Sequence, residues 1–139
     1  MEYSVQLEIN KPVDEVASLF INRDVMPLWE TGLIRIEDQE KTLFEESSNG
    51  YLFFLNQGSE IKMKVTVIKN KLPSLITIVY EVPGAYNQCI NTFTLKENKT
   101  LWTMDVLFKF DEMMDYPIEA FINKTKQDME LFKNFVENK

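Results

Sequence analysis

Few side chains in this 139-residue sequence have the chemistry expected of a catalytic centre. Histidine is absent and Cys89 is the single cysteine, which excludes disulfides, Cys/His zinc sites and the usual imidazole general base. A nucleophilic Cys89 would need a depressed pKa, yet no lysine or arginine adjoins it in the sequence. We therefore expect a buried, inert thiol, and we predict no catalytic residue, no metal site and no cofactor.

Acidic residues are the next candidates for acid–base chemistry. Glu60, Glu81 and Asp105 lie within predicted strands, each out of phase with the apolar residues around it. We therefore expect them on a solvated face rather than in a catalytic site. The acidic stretch Asp111–Asp115 precedes a predicted helix, whose positive end it favours, and it lacks the spacing of a calcium-binding loop.

Size and charge restrict the function further. A chain of 139 residues with 45% hydrophobic residues fits one globular domain, here residues 1–139, with one core. The net charge of −7 repels a phosphate backbone, so we predict no nucleic-acid partner. Residues 1–10 lack the features of a signal peptide, and no apolar run is long enough to span a membrane. These features predict a cytoplasmic protein without stable membrane insertion.

The first third of the chain changes from strand periodicity to helical periodicity. Tyr3, Val5 and Leu7 alternate with polar residues, which predicts a half-buried strand. Pro12 suits the first turn of a short amphipathic helix that ends near Asn22. The segment Asp24–Trp29 is predicted to form a second short helical turn.

The remainder predicts an antiparallel sheet followed by one long helix. Turn-forming residues separate six further predicted strands. These strands are Leu33–Gln39, Tyr51–Asn56, Glu60–Ile68, Leu75–Val82, Tyr86–Leu95 and Leu101–Phe110. Apolar residues at helical spacing, from Ile118 to Val136, predict an amphipathic helix that begins near Asp115 with Pro117 in its first turn.

This order of elements resembles the helix-grip superfamily, which contains the START lipid-transfer domains, the birch-pollen allergen family and the polyketide cyclase/dehydrase-like proteins, collectively SRPBCC. The local similarity lies in the opening strand and helix, Val5–Val16, and in the Trp-containing segment Met26–Trp29 with Gly32-Leu33. The resemblance covers essentially the whole chain. It implies an α+β helix-grip fold, in which a seven-stranded curved antiparallel sheet (β-α-α-β6-α) surrounds a long C-terminal helix.

The resemblance also implies a cavity between the sheet and the long helix. Its members use this cavity for sterols, lipids, polyketides or hormones, so the expected function is binding of a small hydrophobic or amphipathic ligand, as a carrier or sensor. Two alternatives stay open: a polyketide cyclase or dehydratase-type enzyme, in which Tyr80 or an asparagine assists proton transfer, and a protein-interaction module of the chaperone-ATPase-activator type. The absence of histidine argues against an enzymatic role.

Strand and helix periodicity nominates the side chains that would line such a cavity. They are Met63, Val65, Tyr80, Asn87, Cys89, Asn91, Phe93, Trp102, Met104, Phe121, Thr125 and Met129. The apolar members suit a packed core equally well. The asparagines need hydrogen-bond partners, which a ligand or the protein could supply. The Leu75–Val82 strand is apolar on both faces, so the sequence does not tell which face points inward.

Five consecutive apolar residues, Tyr51–Leu55, are unusual for a strand with one solvated face. Either the short helices or a loop cover its second face, or the strand forms an interface. We predict a possible homodimer through this segment, with Phe54 on its more exposed face.

Overall fold

The computed structural model describes all residues, 1–139. It contains seven strands, in which side chains alternate between the two faces of one sheet. The strands are β1 (Glu2–Ile9), β2 (Leu33–Asp38), β3 (Asn49–Asn56), β4 (Ser59–Lys71), β5 (Leu75–Val82), β6 (Ala85–Lys96) and β7 (Lys99–Phe110). The helices are α1 (Val13–Phe20) and α2 (Ile118–Glu137), and a 3-10 turn spans Met26–Leu28. Neighbouring strands are antiparallel in the order β1-β7-β6-β5-β4-β3-β2. Neither helix has the length and apolar composition needed to cross a bilayer.

The predicted α+β helix-grip architecture is therefore confirmed, with small differences in the short elements. The predicted helical turn at Asp24–Trp29 is a single 3-10 turn around Pro27. The long helix begins at Ile118 because Pro117, in an extended conformation, occupies the N-cap position.

The second half of α2 is fixed in an aromatic core. Met129, Phe132 and Val136 recur at helical spacing and have no exposed surface. The Phe132 ring lies 4.7 Å from Trp29 and 5.4 Å from Trp102, measured between ring centroids. Burial of three such side chains contributes on the order of 2 kcal/mol each, so this contact stabilises much of the fold.

The concave face of the sheet is closely packed at one end and accessible at the other. Register places Val67, Ile78 and Cys89 side by side on this face, all buried. Two residues further along β5 and β6 on the same face, Tyr80 and its register partner Asn87 are only half-buried. The accessible end lies beneath the first half of α2, where Ile118 and Ala120 are exposed.

The second face of the Tyr51–Leu55 segment is covered by a side chain of the neighbouring strand, which the sequence did not predict. Phe54 pairs with Ile61 and packs toward the core, so its predicted position on the exposed face is wrong. Phe53 points to the convex side but is 6% exposed, because the Arg35 guanidinium lies 3.8 Å from its ring centroid. A cationic side chain of the neighbouring strand, rather than a helix or loop, covers this face. The homodimer through this strand stays a prediction.

The unequal packing of α2 predicts unequal effects of truncating its two phenylalanines. Phe132→Ala should lower the free energy of unfolding by about 3 to 5 kcal/mol, because it leaves a cavity in the packed end. Phe121→Ala, at the accessible end, should cost about 1 to 2 kcal/mol, since the side chain is half-buried and solvent can fill the space. Urea unfolding of both variants measures the difference. Equal losses would contradict a core that is packed at one end only.

Candidate ligand-binding site

The accessible end of the concave face is lined by aromatic and polar side chains from three adjacent strands. Tyr80, Asn87 and Phe108 pair in register across β5, β6 and β7, and all three are half-buried. Phe110 stacks on Phe108 with ring centroids 5.5 Å apart, and Phe121 of α2 lies 5.3 Å from Phe108. We call the accessible region lined by these five residues the cleft. Its walls are mainly apolar, with a phenol and an amide on the sheet side.

Glu30 brings a carboxyl group to the cleft, and the local backbone holds it there. The Glu30 N–H donates to the Met26 carbonyl at 2.8 Å, and its carbonyl accepts from the Leu33 N–H at 3.1 Å. Gly32 closes this turn at φ +84°, a conformation that suits glycine, and a Cβ there would lie 2.7 Å from the Leu55 carbonyl oxygen. The preceding Trp29 ring packs against Phe132, which anchors the segment to the core.

The Glu30 side chain forms no hydrogen bond and no ion pair with the protein. Burial raises the pKa of Glu30 from 4.5 to about 7, and the nearby Asp128 carboxylate adds to this rise. Lys124 acts in the opposite direction but more weakly. A carboxyl group with this pKa exchanges a proton near neutral pH, which an exposed glutamate does not do.

Tyr80 and Cys89 are uncharged neighbours of Glu30 on the sheet. Burial raises the pKa of Tyr80 well above its usual value, and its hydroxyl has no hydrogen-bond partner in the protein. Burial also raises the pKa of the Cys89 thiol to about 12, although the thiol donates to Asn87 Oδ1 at 3.6 Å. A thiol with this pKa is not a nucleophile near neutral pH. The expected burial of Cys89 is therefore confirmed, and its inertness stays a prediction.

The structure divides the twelve predicted lining residues by their burial. The half-buried members are Met63, Tyr80, Asn87, Met104, Phe121 and Thr125. The buried members are Val65, Cys89, Asn91, Phe93, Trp102 and Met129. The protein itself satisfies Asn91, whose Oδ1 accepts the Trp102 indole N–H at 3.1 Å. That these residues contact a ligand stays a prediction.

Sequence reasoning missed Glu30 and left the orientation of β5 open. Glu30 directly follows the predicted turn Asp24–Trp29 and belongs to no strand alternation, so periodicity gave no reason to select it. The one sequence feature that singles it out is a carboxylate between the apolar pair Leu28-Trp29 and Leu33. Pairing with Asn87 places the Tyr80 side chain on the concave face.

The three in-strand acids lie away from the cleft. Glu60 and Asp105 are exposed as predicted, and Glu60 forms an ion pair with Arg35 at 2.6 Å. Glu81 is half-buried on the convex face, opposite Lys64 in register. No three carboxylate or thiol side chains converge in a way that could hold a metal ion.

Comparison with known proteins identifies the fold of this chain but not its family. No family model and no curated protein matches the sequence. Among solved structures, Ara h 8.0201 has 9% identity and a TM-score of 0.81, with 100% of this chain and 99% of that chain covered. A START superfamily protein from Mycobacterium smegmatis has 13% identity and a TM-score of 0.76, with 99% of this chain and 97% of that chain covered.

A third solved structure, the di-domain ARO/CYC StfQ from the steffimycin biosynthetic pathway, has 12% identity and a TM-score of 0.75. The match covers 99% of this chain and 50% of that chain, so this chain corresponds to about half of StfQ. Identities this low show the fold alone. The chain has the helix-grip fold that its sequence resemblance implied.

The raised pKa of Glu30 predicts a pH-dependent stability that Glu30→Gln removes. The pKa of Glu30 is higher in the folded protein than its ordinary value. The contribution of Glu30 to the free energy of unfolding is therefore complete below about pH 4, and it is lost as the pH rises through about 7. From about pH 4 to about pH 8, the free energy of unfolding of Glu30→Gln should therefore gain roughly 3 kcal/mol relative to the parent.

Chemical denaturation across this pH range measures the gain. Glu130→Gln is the matched control, because Glu130 is an exposed carboxylate of α2 without an ion pair. A pH-independent difference between Glu30→Gln and the parent would show that Glu30 is solvated like any surface glutamate.

Proposed function

We propose that the protein binds a small amphipathic molecule in the cleft, as a carrier or sensor. The body of the ligand lies against Phe108, Phe110 and Phe121, and its polar end lies toward Tyr80 and Glu30. Aromatic rings whose centroids lie 5.3 to 5.7 Å apart form a rigid wall that loses little entropy when a ligand packs on it.

The observation that carries this proposal is that two polar groups at the cleft, the Tyr80 hydroxyl and the Glu30 carboxyl, have no hydrogen-bond partner in the protein. In the packed part, Asn91 and Trp102 bond to each other. In the cleft, neither the Tyr80 hydroxyl nor the Glu30 carboxyl has a protein partner, although burial raises the pKa of both groups. Unpaired polar groups in such surroundings cost free energy unless water or a ligand satisfies them.

The fold supports the same proposal. Helix-grip proteins bind hydrophobic ligands between sheet and helix, and the neighbours include a START superfamily protein and an ARO/CYC protein of a biosynthetic pathway. These names describe the neighbours, and they specify no ligand for this chain.

Thermal unfolding with apolar probes tests the proposal. A polycyclic aromatic or fatty-acyl probe at about one hundred times its dissociation constant should add roughly 2.7 kcal/mol of stability. This corresponds to a rise of about 10 °C in Tm for a domain of this size. Nucleotides and sugars should cause no rise, because the cleft offers them too few polar groups.

Two tryptophan variants locate the binding. Asn87→Trp should fill the cleft and abolish the probe response with little change in Tm. Val65→Trp should lower stability by about 1 to 3 kcal/mol, because Val65 has no exposed surface and a larger side chain there overpacks its surroundings. A parent protein that responds to no probe would contradict the proposal and favour the protein-interaction module.

A second candidate function, acid–base catalysis, is favoured by one observation. A carboxyl group with a pKa of about 7 is suited to accept and return a proton at neutral pH. Glu30 would take a proton from a carbon next to a ligand carbonyl, and the Tyr80 hydroxyl would donate a hydrogen bond to the enolate oxygen. Return of the proton to carbon completes the cycle.

Hydrogen exchange detects this reaction without knowledge of the natural substrate. An aryl ketone incubated with the protein in deuterated water should lose its α-proton signal by NMR, at a rate that rises with pH and levels off above about pH 7. Glu30→Gln should abolish the exchange, and Glu130→Gln should not affect it. A rate equal to that of buffer would leave binding as the function.

A further inference from the structure

The charges around Glu30 do not balance when it ionises. The titratable groups that face it are Tyr80 on β5, Cys89 on β6, and Asp128 and Lys124 on α2. Lys124 Nζ lies 2.8 Å from Asp128 Oδ1, so the nearest cation is already paired with a carboxylate. Tyr80 and Cys89 remain neutral because burial raises the pKa of each. An ionised Glu30 therefore adds one negative charge without a counterion in the protein.

We infer that the ligand of the cleft is an organic cation, an amine with an apolar or aromatic body, whose ammonium group pairs with the unpartnered Glu30 carboxylate. This inference rests on the proposed ligand-binding function and specifies its chemical class. The ligand ammonium takes the place that a lysine or arginine would occupy in a buried ion pair.

Two further features of the molecule favour a cation over an anion. The chain carries a net charge of −7, which attracts cations to the surface and repels anions. The cleft is walled by the rings of Phe108, Phe110 and Phe121, and Tyr116 lies 6.5 Å from Phe121 at its rim. The faces of aromatic rings attract ammonium groups, whereas they give no such attraction to a carboxylate.

The pairing predicts a specific pH dependence of binding. An alkylamine keeps its charge up to about pH 10, as lysine does, so a pH dependence of its binding below this value comes from the protein and not from the ligand. Since the cation binds the ionised carboxylate, its affinity should fall about tenfold for each pH unit below about 7. A neutral ligand of the same shape should bind with an affinity that changes little with pH.

Three probes with one common body test the inference: naphthylethylamine, naphthylethanol and naphthylacetate. Their dissociation constants are measured by calorimetry with the full chain at about pH 5 and about pH 8. At about pH 8 the amine should bind at least tenfold tighter than the alcohol, and the acetate should bind weakest. At about pH 5 the advantage of the amine should disappear.

Two variants test whether the preference for the amine depends on the Glu30 side chain. Glu30→Gln should bind the amine and the alcohol equally at both pH values, and Glu130→Gln should keep the preference of the parent for the amine. Binding of the alcohol without a preference for the amine, or a preference that survives in Glu30→Gln, would overturn the cation inference and leave the proposed function intact. Failure of all three probes to bind would overturn the proposed function together with the inference.

Discussion

The structure depends on one contact, the packing of Phe132 into the aromatic core formed by Phe20, Trp29, Phe93 and Trp102. The five rings approach one another with centroids 4.7 to 5.9 Å apart, in mostly edge-to-face geometry. This contact joins α1, the turn after it, two sheet strands and α2. Phe132 is the central member of the buried stripe that attaches α2 to the sheet, and the other two members, Met129 and Val136, flank it.

The same contact explains why the cleft exists. Trp29 belongs to the core, so the chain that follows it must run along the edge of the concave face, and this brings Glu30 between sheet and helix. At the opposite end of α2, Phe110 stacks on Phe108, and the Phe121 ring packs against both at a tilt. Tyr80 and Asn87 are therefore left with accessible surface, and a ligand could take the place of the missing packing.

Periodicity predicted the strands and the long helix because side-chain alternation is a local property of the backbone. It also placed Glu60 and Asp105 on the solvated side. It could not orient β5, since Val79 on the convex face is 3% exposed and as apolar as Ile78 opposite. It could not identify Glu30 either, because the environment of that carboxyl group is created by β5, β6 and α2, which lie far away in sequence. The covering of Phe53 by Arg35 is likewise a contact between strands that alternation within one strand does not encode.

One end of the concave face is open to a ligand and the other is packed, and the methionine methyl groups distinguish the two ends. Met63 is half-buried on the accessible side of the concave face, whereas Met129 has no exposed surface. In a titration of methyl-labelled protein with naphthylethylamine, the Met63 resonance should shift with saturation, while that of Met129 should stay in place. A saturable shift of Met129 without one of Met63, or no saturable shift of any methionine, would contradict the account.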